Sequence, residues 1–120
     1  MESESAGAQP ARESLLVLTT CSVSEADGLA ALLVERRLAA CVNAVNGITS
    51  TYRWQDAVER DQETLLLIKT TRTRYPEVEA AIREHSSYDL PEVLAVPVAG
   101  GLPGYLDWLA ASVRGAGSPE

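Results

Sequence analysis

Apolar and polar positions change rhythm several times along the chain. Residues 15–20, LLVLTT, are a short apolar run rich in strand-forming residues and predict a buried strand. Ala26, Leu29, Ala30, Leu33 and Val34 then recur at helical spacing. Ser24 is the expected N-cap of that helix, with Asp27 completing an imperfect capping box, and the helix should end near Arg37 or Leu38. Residues 40–54, ACVNAVNGITSTYRW, and 58–71, VERDQETLLLIKTT, read as two long strands with QDA at the hairpin tip. Within the second, Leu65 to Ile68 is apolar at every position, which asks for burial on both faces. Tyr75, Val78, Ile82 and His85 share one face of a second helix capped by Thr71 or Thr73, with Pro76 in its first turn. A fourth strand covers Val93 to Val98, and Pro97, lacking an amide proton, puts it at a sheet edge or at its own end. Gly100, Gly101 and Pro103 break the chain before a last helix bearing Tyr105, Leu106, Leu109 and Val113.

The order βαββαβ plus a terminal helix, with right-handed crossovers, predicts an α+β, ferredoxin-like sandwich with an extra C-terminal helix. Its two central strands are too long for it. Fourteen extended residues span roughly 46 Å, whereas a helix of similar residue count covers only about 21 Å. The excess carries Ile48, Tyr52, Trp54 and Val58. An exposed apolar ribbon of this kind predicts an oligomer whose subunits pair strand edges.

Composition narrows the partners. The chain has 120 residues, 46% of them hydrophobic, none of them Phe, and a formal net charge of -7. One domain is expected over residues 14–113, flanked by disordered tails at 1–13 and 114–120. The negative charge argues against nucleic acid and anionic membrane, both of which require clustered Lys and Arg. No apolar run reaches the roughly 18 residues of a membrane span. Residues 1–14 lack the basic and apolar regions of a signal peptide, so a cytoplasmic location is expected. Two cysteines without a C-x-x-C cannot close a zinc site and are expected as free thiols.

Few residues suggest chemistry. His85 is the sole histidine and stands near Tyr88, Asp89 and Glu92. It reads as a metal ligand or general base, or as a helix end where a partly positive imidazole suits the macrodipole; the second reading outweighs the first. A metal centre would draw on Cys21, Cys41, Asp89 and Glu92, a mixed donor set that suits copper better than calcium or magnesium. Cys41, at a strand start, reads as a small buried hydrophobe. Cys21, after the first strand, is the better candidate for exposure. Lys69 ends an apolar run as a solvated tip or as a partner of Glu59 or Glu92 across a subunit contact. Trp54 and Trp108 read as packing anchors. There is no nucleophile–base pair, phosphate loop or HExxH motif.

LVLTT, LAACVN, STYRW, VERDQETLLLIKT, YDLPEVLAVPV and YLDWL, in this order and spacing, resemble the CutA (CutA1) family of divalent-cation tolerance proteins over about residues 14–113. The resemblance implies a ferredoxin-like fold related to PII signalling proteins, a stable homotrimer built by strand pairing, and a link to copper tolerance. Cys41, Asn43, Tyr52, Trp54, Glu59, Lys69, Tyr88, Glu92, Tyr105 and Trp108 fall on recurrent family positions. Of these, Cys41, Trp54, Glu59, Lys69, Tyr88 and Glu92 are the candidates for an inter-subunit cleft. The family's His-Pro-Tyr is replaced by Ser86-Ser87-Tyr88. The histidine implicated in copper binding in some members thus falls on Ser86, and the corresponding cysteine on Thr19. A displaced site would use Cys21, His85 and Glu92. His85, one position early, is turned by about 100° on a helix. The family's usual hairpin-tip glycine is Asp56 here, which also tolerates a left-handed turn. Three functions follow. The first is a trimeric, PII-like binding or signalling module with no required cofactor, taking a small molecule, a divalent metal or a partner protein. The second is a direct copper-binding protein. The third, ranked last because the turn after the first strand is acidic, is an acylphosphatase-like enzyme.

Overall fold

A computed structural model describes residues 13–115. The tails expected at 1–13 and 114–120 lie, apart from Glu13, Arg114 and Gly115, outside the described residues. The elements are β1 (Ser14–Cys21), α1 (Val23–Glu35), β2 (Cys41–Trp54), β3 (Ala57–Thr71), α2 (Tyr75–His85), β4 (Leu94–Pro97) and α3 (Pro103–Ser112). The sheet is antiparallel with strand order β2-β3-β1-β4. This is the expected split βαβ sandwich with its extra helix.

Alternation along the strands decides which face the helices cover. Val17, Cys21, Leu66 and Ile68 join Leu29 and Leu33 of α1 and Val78, Ala81 and Ile82 of α2 in one core. Leu33, Leu66, Ile68 and Val78 are wholly inaccessible, and each such side chain contributes about 1.5–3 kcal/mol. The intervening Leu65 and Leu67 are only half-buried. The apolar run that asked for cover on both faces receives it fully on one. Around the edge strand, Leu94 and Val96 are exposed. Helix α3 builds a second, smaller cluster from Leu109, Val113 and Ala40, and Arg74 Nε donates to the Val113 carbonyl at 2.6 Å to hold its end.

Boundary details depart from the sequence expectation at the caps. Helix α1 starts after Ser22, not Ser24, and Ser22 makes no side-chain cap bond. The helix stops at Glu35, and Arg37 takes φ 60. The Arg37 amide donates to Val34 O at 3.1 Å and the Leu38 amide to Leu33 O at 2.9 Å, a Schellman closure with arginine where glycine is usual. Helix α2 is capped by Arg74, not Thr71 or Thr73, with Pro76 in its first turn. Pro97 ends β4, an edge strand bonded to β1 alone.

The hairpin β2–β3 projects as its length required. No residue of β2 is buried, and neither are the first six of β3. The molecule extends 50 × 32 × 21 Å. Gln55 and Asp56 turn the tip with φ 50 and 70, a two-residue turn of the primed type between the paired Trp54 and Ala57. Register shifts between Val45 and Ile48. There Asn46 and Gly47 oppose Thr64, Gly47 takes φ 75, and Thr64 Oγ1 donates to Asn46 Oδ1 at 3.1 Å.

Candidate functional site: an acidic, aromatic groove

Where the ribbon leaves the helix-covered body, a groove of about 840 Å³ opens. Its walls come from the tip side of β2 (Ser50 to Trp54), from Glu59, Asp61 and Glu63 of β3, from Thr20, and from the segment holding Tyr88, Asp89, Leu90 and Glu92. Odd-numbered residues of β3 point away from the helices, because Thr64, Leu66, Ile68 and Thr70 fill the opposite face. Glu59, Asp61 and Glu63 are therefore aligned on one side. Five carboxylates and one arginine, Arg53, are among the lining residues.

Tyrosines tie this acidic wall together. Tyr88 Oη donates to Glu63 Oε2 at 2.6 Å, and the Glu63 side chain is nearly buried, at 7% exposure. Burial, then the bond to Glu63 and the charges of Glu63, Cys21 and Glu25, push the Tyr88 phenol far above its ordinary range. Tyr52 Oη donates to Asp61 Oδ2 across the hairpin, and that bond raises Tyr52 to about 12, with burial and the Asp61 charge adding to it. Both phenols thus stay protonated donors at neutral pH. Glu25, whose charge acts on Tyr88 and Cys21, holds a buried carboxylate oxygen without a hydrogen-bond partner among the described residues.

The sequence candidates fall into three places. Trp54, Glu59, Tyr88 and Glu92 all line the groove. Cys41 and Lys69 do not. They face each other across the β2–β3 ladder, with Lys69 Nζ donating to Asn43 Oδ1 and lying 3.8 Å from Cys41 Sγ. Lys69 makes no ion pair with Glu59 or Glu92 within the chain; it is six residues, or roughly 20 Å of strand, from Glu63. The proposed metal donors lie apart: among the described residues no three His, Cys, Asp or Glu side chains are grouped to hold a metal ion. His85 does not share the buried face of Val78 and Ile82; it is exposed, its Nδ1 3.0 Å from Ala81 O. Cys21 is buried at 2% exposure rather than open, and burial, then the charges of Glu25 and Glu63, raise its thiol. Cys41, expected buried, is half-exposed. At Thr19 and Ser86, where the resemblance alone would put copper ligands, the side chains hold the backbone instead. Thr19 Oγ1 donates to the Glu92 carbonyl at 2.6 Å, and Ser86 Oγ accepts from the Tyr88 amide at 3.0 Å. The described residues of one chain bring no such donor set together.

Sequence reasoning missed Glu63, Asp61, Arg53 and Thr20. Period-two alternation from Glu59 carried the signal for Asp61 and Glu63.

A split βαβ sandwich with an over-long hairpin and a groove at its root belongs to the PII-like class of small α+β proteins. The family model described as "CutA1 divalent ion tolerance protein" matches residues 15–112, and the chain belongs to this family. A divalent-cation tolerance protein CutA of Thermus thermophilus is 47% identical over 81% of this chain and 94% of its own length. A chloroplastic CutA of Arabidopsis thaliana is 42% identical over 84% of this chain. The chain spans only 56% of that plant relative. Among solved structures, CutA1 from Oryza sativa superposes with TM-score 0.83 at 38% identity, covering 87% of this chain and 96% of that one. The PII-like protein CutA from Nostoc sp. PCC 7120 gives 0.79 at 28% identity, covering 82% and 96%.

Proposed function

We propose that this CutA-family chain acts as a trimeric, cytoplasmic binding or signalling module, not a catalyst, whose clefts are shared between subunits. One subunit supplies Trp54, Glu59, Tyr88 and Glu92, and its neighbour supplies Cys41 and Lys69. The observation that carries this reading is the separation of these two groups along one hairpin. Thirteen residue steps, roughly 43 Å of extended strand, separate Cys41 from Trp54, so the groups meet only across copies. Support comes from the exposed apolar side chains of the ribbon and of the edge strand, Trp54, Val58, Leu94 and Val96, which an assembly would cover. The cleft joins carboxylates, phenols and one ammonium in a form suited to a small polar ligand or a partner protein's side chains. Free thiols support a reducing compartment, although a solved relative from Archaeoglobus fulgidus is described as periplasmic.

Two measurements test the proposal. In a Cys21→Ser background, Glu59→Cys and the native Cys41 are treated with a short bismaleimide. Covalently linked pairs of chains are expected; monomers alone sink the shared cleft. A copper titration against a competing chelator, with thiols reduced, compares wild type and His85→Ala. Weak binding unchanged by the substitution is expected. Submicromolar binding lost in the variant would replace the module with a copper protein.

A further inference from the structure

Cys41 and Lys69 are the one place among the described residues where a half-exposed thiol and an amine are fixed side by side. They are a directly opposed pair in the β2–β3 ladder, so backbone hydrogen bonding sets their spacing. Lys69 Nζ is 3.8 Å from Cys41 Sγ, and its bond to Asn43 Oδ1, two residues along the same strand, keeps it there. Cys21 lacks each of these features: it is buried and its Sγ is 4.0 Å from the Thr64 carbonyl.

We propose that Cys41 and Lys69 form an oxidative modification site, joined by a sulfur–nitrogen bond when the protein meets hydrogen peroxide. The Cys41 thiolate attacks one peroxide oxygen. The sulfur–oxygen bond forms, the oxygen–oxygen bond breaks, and hydroxide leaves to take up the thiol's proton as water. The product is a sulfenic acid. Lys69, after its ammonium loses a proton to solvent, attacks that sulfur. The sulfur–nitrogen bond forms, the sulfur–oxygen bond breaks, and the departing hydroxide takes a proton from nitrogen as a second water. Overall one thiol, one amine and one peroxide give one sulfenamide and two waters; sulfur loses two electrons and peroxide gains them. A thiol reductant reverses the step and restores both side chains. The modification removes a positive charge from the sheet and locks two strands together.

The test is intact-mass and peptide-mass analysis of the full chain after peroxide treatment. The expected result is a chain lighter by two hydrogens, a peptide pair linking Cys41 to Lys69, and recovery of the starting mass with dithiothreitol. Cys21→Ser should still form the link. Lys69→Arg, which keeps the charge, should instead leave a sulfenic acid at Cys41 that a dione probe traps. The wild-type peptide map decides the matter even if a variant fails to fold. Cys41 carrying oxygen while Lys69 stays free in the wild type would overturn the proposal, as would a Cys21–Cys41 or interchain disulfide accounting for the lost hydrogens.

Discussion

Strand β3 runs unbroken through two environments. From Glu63 to Thr71 it lies under helices, with Leu66 and Ile68 wholly inaccessible, while at its other end Val58 is 66% exposed. The covered half is rich in strand formers and the ribbon half, AVERDQ, is not, yet both pair with β2 through the same ladder. The contrast shows that pairing and burial are separate events. Hydrogen bonding extends as far as the partner strand extends, but burial requires a layer above the strand, and α1 and α2 are too short to supply it along the ribbon. The groove sits at the junction, where Glu63 is covered and Glu59 is not.

Substitutions should separate the two halves by size of effect. Leu66→Ala in the covered half should cost about 2–5 kcal/mol, read as a lower denaturant midpoint with unchanged slope; a loss below 1 kcal/mol would mean the core repacks around it. Trp54→Ala in the ribbon should leave folding of the body intact yet cost about 2 kcal/mol or more in subunit association, the scale of a buried aromatic anchor. Light scattering should show lighter species at low protein concentration, and an unchanged mass would show that the ribbon is not an assembly surface.

At the junction, Tyr88→Phe removes the only hydrogen-bond donor to Glu63 found among the described residues and should cost about 1–3 kcal/mol at neutral pH. Its pH dependence has a definite sign. The folded phenol is raised above its unfolded value of about 10. Its contribution is complete below that value and is lost as pH climbs above it, because the unfolded chain then releases a proton that the folded chain retains. The gap between wild type and Tyr88→Phe should therefore narrow above pH ~10 in denaturation curves; a constant gap would remove the titration from the account. The smallest effects belong to the turns. Arg37→Gly and Asp56→Gly relieve left-handed backbone, one in each half, and each should add up to about 1 kcal/mol. If only Arg37→Gly raises the melting temperature, the ribbon tip contributes nothing to global unfolding.

The element order, the hairpin and its projection were legible because period-two and period-3.6 patterns are local, and strand length is a count. Asp56 in a left-handed turn was legible for the same reason. The thiols were not. Cys21 reads as a loop residue, but β1 continues through it and α1 begins two residues later, so the helix that follows covers it. Cys41 reads as core, but it opens a strand on the uncovered side of the ladder. His85 has helical spacing from Ile82, yet it is the last helical residue and its ring turns back to the Ala81 carbonyl. Of the cleft candidates, four gathered in the groove; Glu63, its most buried carboxylate, has no distinguishing neighbour in sequence, and only its pairing with Tyr88, 25 residues away, gives it a role.

By itself the sequence determined the family, the order of elements and a hairpin longer than its helices, because each is encoded in contiguous residues. Tertiary structure alone decided which thiol is partly exposed, which carboxylate is buried and which candidate residues share a site. Those properties depend on distances between segments far apart in the chain, and no local pattern of apolar and polar residues contains them.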